Sequence, residues 1–120
     1  MLSSIGSSIS GLNAASRRIE VSANNIANQS SSNYIPKRVE QISVEGGAVQ
    51  SVVSDVNPAS VPVFNPSSPE ADQNGMTQLP NVDVATELVN QAIAAYDYKA
   101  NLKSIQIQKK LDNFLLNIFS

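Results

Sequence analysis

The sequence predicts a mainly α-helical fold: two long terminal helices packed as an antiparallel, coiled-coil-like pair, with a small β-hairpin and an extended proline-rich segment between them. Three observations predict it. Both ends of the 120-residue chain carry apolar residues at helical spacing, all six prolines lie between Pro36 and Pro80, and valine-rich alternation marks two strands in the middle. Residues 1–28, 29–80 and 81–120 are predicted to form one domain.

The first helix is predicted from Ser3 or Ser4, either of which can cap it, to about Ala27. Seven serines precede Ser30, and serine weakens an isolated helix because its hydroxyl competes for backbone hydrogen bonds. We therefore expect this helix to depend on packing. Its apolar stripe alternates at spacings of three and four residues and comprises Leu2, Ile5, Ile9, Leu12, Ser16, Ile19, Ala23 and Ile26.

The middle of the chain, residues 29–80, reads as a linker. Alternating apolar residues and the pair Gly46-Gly47 predict a hairpin over about residues 38–56 that turns at residues 45–48. Residues 57–80 contain five prolines and cannot be helical. We expect this segment to wrap across the helical pair as extended chain, anchored by Val61, Val63 and Phe64.

The second helix has a clear predicted start. Pro80 stops what precedes it, Asp83 is a suitable N-cap, and Glu87 adds a negative charge in the first turn. Its stripe comprises Val89, Ile93, Tyr96, Ala100, Lys103, Ile107, Leu111, Phe114 and Ile118. The two stripes are predicted to pack on each other within one chain.

Composition argues against catalysis. The chain has no histidine and no cysteine, and acidic residues in the middle are scattered through a Pro-, Ser- and Asn-rich stretch. No phosphate-cradling glycine loop is present. We expect a protein that is not an enzyme, with no metal, cofactor, small-molecule substrate, nucleic-acid partner or membrane-inserted segment. The first charged residue, Arg17, lies too late for a classical cleaved secretory signal.

Charge is segregated along the chain. Residues 39–87 carry seven acidic and no basic side chains, whereas residues 88–120 carry four basic and two acidic ones. A solvated acidic loop explains this pattern, and so does attraction between the middle of one chain and the ends of a neighbour.

Two short stretches need more than periodicity to explain them. The first is Ser22-Ala23-Asn24-Asn25-Ile26-Ala27-Asn28, followed by Tyr34 and Lys37-Arg38. Asparagines at a helix end also serve simply to terminate it, by bonding local backbone. The second is Leu79-Pro80-Asn81-Val82-Asp83-Val84, followed by Glu87-Leu88-Val89-Asn90 and by Tyr98-Lys99-Ala100-Asn101.

Together these stretches resemble the terminal signatures of bacterial flagellar axial proteins, the family of rod, hook and hook-associated subunits. The short length, and the run from Val63 to Asp83, are most similar to the subunits of the proximal rod. The resemblance implies a structural subunit of the basal-body rod in the periplasm, part of the drive shaft that carries motor torque. It also implies export through the flagellar type III apparatus and partners among other rod subunits and the basal-body base.

The residues expected to carry assembly come from the two stripes and the two motifs. The asparagines are expected to fix register, because a buried amide left unpaired costs about 1–3 kcal/mol. Two alternatives remain: a soluble helical adaptor that never polymerises, and a distal-rod or hook subunit. The candidate assembly residues are Leu12, Ile19, Asn24, Asn25, Ile26, Asn28, Asn81, Asp83, Val89, Tyr98, Asn101, Leu111 and Phe114.

Overall fold

The computed structural model describes residues 2–119, with side chains for residues 5–118. The mainly helical architecture with small antiparallel sheets confirms the predicted class, and the molecule is elongated, with Cα extents of 79 × 24 × 15 Å. The elements in chain order are α1 (Leu2–Ala27), β1 (Lys37–Val44), β2 (Ala48–Asp55), β3 (Ser60–Phe64), β4 (Met76–Pro80) and α2 (Val84–Phe119).

The two helices lie side by side and run in opposite directions. Near the start of α1, the Ser8 hydroxyl donates a hydrogen bond to the Ser104 hydroxyl at 3.2 Å. Near its end, the Ser22 hydroxyl bonds the carboxylate of Glu87 in the first turn of α2. The predicted end of α1 at Ala27 is confirmed, while the predicted caps Ser3 and Ser4 lie outside the described side chains.

The faces that meet between the helices are small and polar. On α1 they again follow three-four spacing: Ser8, Gly11, Ala15, Arg18, Ser22 and Asn25. The buried apolar residues among the described side chains are Ala14, Ala15, Val21 and Ala94, with Pro36 and Pro80. The prediction that the two apolar stripes pack on each other within one chain is therefore wrong. The α2 stripe is exposed, and Leu2 of the α1 stripe lies outside the described side chains.

The first hairpin matches its prediction and packs on α1. Strands β1 and β2 pair antiparallel from Lys37–Asp55 to Val44–Ala48, with the turn at residues 45–47. Both glycines of this turn have positive φ, a conformation that glycine adopts without steric cost. The Val49 N–H donates to the Ser10 hydroxyl at 3.0 Å, which ties the hairpin to the helix.

The proline-rich segment differs from its prediction, because it folds back on itself as a second antiparallel hairpin, β3–β4. Two of its expected anchors are wrong, since Val63 and Phe64 are 38% and 68% exposed. Pro62 and Pro80 both lie in strands. A two-stranded sheet accepts them because each strand has an unpaired edge, where a missing N–H costs little.

Candidate assembly surfaces

Asn25 is the polar centre that joins α1, β1 and α2. Its side chain is completely buried and uses all of its hydrogen-bonding capacity. The amide nitrogen donates to the Lys37 carbonyl and to Glu87 Oε1, both at 2.8 Å. The amide oxygen accepts from the Tyr34 hydroxyl at 2.9 Å and from the Lys37 backbone N–H at 3.0 Å. One side chain therefore fixes the chain reversal after α1 and the position of the α2 start.

Tyr34 and Glu87 complete this centre, which we call the Asn25 junction (Ser22, Asn25, Tyr34, Lys37 and Glu87). Glu87 accepts from both Ser22 and Asn25. Burial, and after it the negative charge of Glu87, raises the pKa of the Tyr34 hydroxyl above its ordinary value. The phenol therefore stays protonated and remains a hydrogen-bond donor to Asn25.

The other asparagines of the first motif have local roles. Asn28 donates from its side chain to the Asn24 carbonyl at 2.9 Å, which terminates the helix as expected for this residue type. The Asn24 side chain is exposed. Asn33 adopts φ of 64°, and the turn it completes brings Tyr34 back to the end of α1.

The start of α2 is capped as predicted. Asp83 Oδ1 accepts from the Ala85 N–H at 3.2 Å, and its second oxygen accepts from the Thr86 hydroxyl. The Thr86 hydroxyl, supported by backbone N–H groups, holds the pKa of Asp83 below its ordinary value. Asn81 donates from its side chain to the Pro58 carbonyl at 3.0 Å, and so ties the second hairpin to this turn.

Gly11 leaves room on α1 for the side chain of Asn101 on α2. A Cβ atom at this position would lie 2.6 Å from Asn101 Oδ1 and 2.7 Å from its Cγ. Asn101 is itself held by a bond from its side chain to the Asp97 carbonyl at 2.8 Å. Arg18 reaches Asp97 at 3.3 Å in the same seam. Substitution of Gly11 therefore forces either the amide or the helices apart.

The α2 stripe faces outward along its whole described length. Its candidate residues Val89, Leu111 and Phe114 are 58%, 53% and 64% exposed. Tyr98 lies two positions from Tyr96 and from Ala100, hence on another side of α2, and is 38% exposed. Folding the single chain leaves this apolar surface in water, which costs roughly 25 cal/mol per Å² relative to burial. Contiguous exposed apolar surface of this kind is typical of an interaction site.

The α1 stripe is less exposed. Leu12, Ile19 and Ile26 are half-buried, and Ile9 is 46% exposed. Successive helical residues turn by about 100°, which places this stripe on one side of the helix pair and the α2 stripe on the opposite side. The β1–β2 hairpin lies on the same side as the α2 stripe, because Ser10 and Val21 face it on α1. Each chain thus presents two different apolar surfaces, the α1 stripe and the α2 stripe, on opposite sides of the helix pair.

The carboxyl end of α2 extends beyond α1. Ser104 lies opposite Ser8, so residues after about 110 have no α1 partner. The projecting end is apolar, with Leu116 68% and Ile118 59% exposed.

A cavity of about 410 Å³ lies between the end of α1, the start of β1 and the start of α2. It is lined by residues of both charges, among them Arg18, Lys37 and Glu87. Among residues 2–119 there is no cluster of acidic side chains suited to hold a metal ion. None of the helices described is both long and apolar enough to cross a bilayer.

Sequence reasoning missed the interior seam. Glu87 meets Asn25 from 62 residues along the chain, and Tyr34 and Lys37 meet it from beyond a turn, which periodicity in a single sequence does not reveal. The small residues Ser8, Gly11, Ala15 and Ser22 do repeat at seam spacing, and this pattern was readable beside the apolar one.

Comparison with known proteins identifies the family to which this chain belongs. Residues 5–34 match the family described as flagella basal body rod protein, and residues 73–118 match that described as flagellar basal body rod FlgEFG protein C-terminal. The flagellar basal-body rod protein FlgC of Yersinia enterocolitica is 35% identical over 115 residues, covering 85% of each chain. The proteins of the same name from Salmonella typhimurium and Buchnera aphidicola (Baizongia pistaciae) are 34% and 29% identical at the same coverage. A chain with such relatives across most of its length, and with both terminal helices matched, belongs to the family of flagellar basal-body rod proteins.

Proposed function

We propose that this chain is a structural subunit of the flagellar basal-body rod, in the proximal segment, which assembles through the two outward-facing stripes of its terminal helices. The observation that carries the proposal is the inverted distribution of side chains. Small and polar groups fill the interior seam, while the large apolar residues of α2 point outward. Such a chain reaches a fully buried core only in contact with neighbours.

The placement of the stripes supports an open-ended assembly. Two different surfaces on opposite sides of one subunit form heterologous contacts, and these build a helical filament when the rotation between subunits does not close a ring. The α2 stripe of one subunit then packs on the α1 stripe of the next. The projecting apolar end of α2 reaches a further neighbour along the axis.

Within this role, the chain is exported by the flagellar type III apparatus, joins neighbouring rod proteins and the basal-body base in the periplasm, and transmits torque. The relatives' name, basal-body rod protein, supports the location. The Asn25 junction, and Asn101 seated against Gly11, fix the register of the helices, so that the stripes are presented in a constant geometry.

The first test is mass spectrometry of hook and basal-body particles purified from the source bacterium through a stringent wash. The proposal predicts this chain at the level of other rod subunits. Absence from otherwise intact particles would instead favour a soluble helical adaptor.

The second test separates assembly from folding. Phe114→Asp places a charge in the outward stripe, and Asn113→Asp, at the adjacent exposed position, is its matched control. We expect both chains to be made and to retain α-helix, with swimming lost in Phe114→Asp alone. Ile19→Asp on the α1 stripe is expected to block motility in the same way. Normal swimming of the stripe variants would contradict the proposal.

A further inference from the structure

The outer face of the β1–β2 hairpin is a third apolar surface. Ile42, Val44 and Val52 are 49%, 39% and 39% exposed. Their strand partners place them on one face, because Ile42 pairs with Gln50 and Glu40 pairs with Val52. The opposite face carries the half-buried Val39, Val49 and Val53 and lies toward α1. The outer face therefore remains available to another molecule.

The charge at the turn end of this face is acidic. Glu40 lies on this face and Glu45 lies in the turn, whereas Arg38 is on the same face at the end of the hairpin away from the turn. Asp55 lies on the opposite face, where its carboxylate is 3.9 Å from Lys37 Nζ. Glu40 and Glu45 are exposed and have no ion-pair partner among the described residues.

The α2 stripe has the complementary character. Residues 98–111 contain four lysines and no acidic residue. Lys103 belongs to the stripe, and Lys99 borders it beside Ala100. Lys99 Nζ lies 5.8 Å from the centre of the Tyr96 ring. Apolar surface with a basic border on α2 thus matches apolar surface with an acidic border on the hairpin.

The two surfaces also lie at the same level along the molecule. The hairpin turn is next to Ser7, whose hydroxyl donates to the Gly46 carbonyl at 3.2 Å, and Val49 is next to Ser10. Because Ser8 lies opposite Ser104, this part of the hairpin is level with α2 residues near 100–105. Hairpin and stripe face the same side of the helix pair, the hairpin above α1 and the stripe on α2.

From this arrangement we infer that two copies of the free chain form a closed, two-fold symmetric pair in which the hairpin of each covers the α2 stripe of the other. A two-fold axis parallel to the helices exchanges the α1 and α2 sides at constant level, so both contacts form at once. The interface is isologous and ends at two subunits. It covers the α2 stripe, so a paired chain must open before that stripe can enter the rod.

The inference concerns the free chain and stands apart from rod membership, which particle composition tests. Its experiment is sedimentation velocity on the purified full-length chain and two charge-reversal variants. One variant is Glu40→Lys with Glu45→Lys, and the other is Lys99→Glu with Lys103→Glu. Wild-type chain is expected to be a dimer that dissociates as salt rises, because the matched charges are screened.

Each reversal variant alone places like charges across both contacts and is expected to weaken dimerisation roughly tenfold or more. Mixing the two variants in equal amounts should restore the dimer, since one contact of the mixed pair is wild-type and the other has both charges exchanged. A monomeric wild type, an open-ended polymer, or a mixture that stays monomeric would each overturn the inference.

Cross-linking locates the contact. The chain has no cysteine, so Ile42→Cys and Ala100→Cys introduce single thiols at exposed positions of the hairpin and the stripe. A short bis-maleimide should join the two variants when they are mixed, with a higher yield than Ser67→Cys mixed with Ala100→Cys. Equal yields in the two mixtures would overturn the assigned faces even if a dimer forms.

Discussion

Replacement of Asn25 tests the polar junction on which the fold depends. Asn25→Ala removes four hydrogen bonds, one of them to the carboxylate of Glu87. Three neutral bonds at about 1 kcal/mol each and one to a charged group at about 2 kcal/mol give an upper value of about 5 kcal/mol. Water entering beside the partly exposed Tyr34 and exposed Lys37 recovers part of this, so we expect a loss of about 3 kcal/mol.

The matched control is Asn24→Ala, the same substitution one residue earlier. The Asn24 side chain is exposed, and we expect its free energy of unfolding to change by less than about 0.5 kcal/mol. Urea unfolding followed by circular dichroism at the helical band measures both. With a denaturant slope of about 1.5 kcal/mol per M, the midpoint of Asn25→Ala should fall by about 2 M relative to that of Asn24→Ala. Equal midpoints would refute the reasoning.

If Asn25→Ala does not fold in water, a second pair of variants keeps the idea testable. Asn25→Asp places a carboxylate against both Glu87 and the Lys37 carbonyl, and is expected to destabilise strongly at neutral pH. Adding Glu87→Gln supplies a donor to the new carboxylate and should recover part of the loss. A double variant no more stable than Asn25→Asp would mean that the two side chains are not coupled.

Three further predictions concern stability, each measured by the same unfolding assay. Gly11→Ala should lower the free energy of unfolding by about 1 kcal/mol or more, as overpacking of a core does. Its control is Gly6→Ala, whose new Cβ meets nothing within 4 Å and which should raise the free energy of unfolding by about 0.5–1 kcal/mol. A gain in stability at both positions would contradict the contact between Gly11 and Asn101. Ser51→Ala removes a buried hydroxyl without a described hydrogen-bond partner, and should leave the stability unchanged or raise it by up to about 1 kcal/mol. A clear loss of stability would mean that the hydroxyl has a partner. Because the pKa of Asp83 is lowered in the folded chain, its carboxylate stabilises the fold above the ordinary carboxyl range near pH 4. This stabilisation disappears as the pH falls through the lower folded-state pKa, so Asp83→Asn should lose less stability on acidification than wild type. Identical pH profiles of the two chains would show that the cap does not contribute.

Local structure was readable from the sequence because its signals are local. The end of α1 at Ala27, the turn at Gly46-Gly47 and the cap at Asp83 follow from residue types within a few positions of each other. The second hairpin was missed because Pro62 and Pro80 argue against strands, and only the two-stranded geometry with its free edges admits them.

The repeat of small residues was visible in the sequence, but its position on the interior face could not be derived from it, for a physical reason. Amphipathic analysis assumes that the most apolar face of a helix turns toward its own chain. Here Ala94 occupies the interior and Tyr96 the exterior, which is consistent when the largest apolar contacts are made between chains. The Asn25 junction was equally hidden, since Glu87 lies 62 residues away in sequence.

The most direct test of this inverted arrangement is the reactivity of a single thiol on the stripe, in the free chain and in the rod. In Tyr96→Cys, the thiol should react with a small maleimide in the folded free chain, kept monomeric by dilution in high salt, about as fast as in urea. Position 96 lies alongside α1 and is nevertheless exposed on the single chain. In purified basal bodies the same thiol should be strongly protected, and should become reactive again when the particles are dissociated. A thiol that is already protected in the free monomer, or that reacts equally fast in intact particles, would contradict the account.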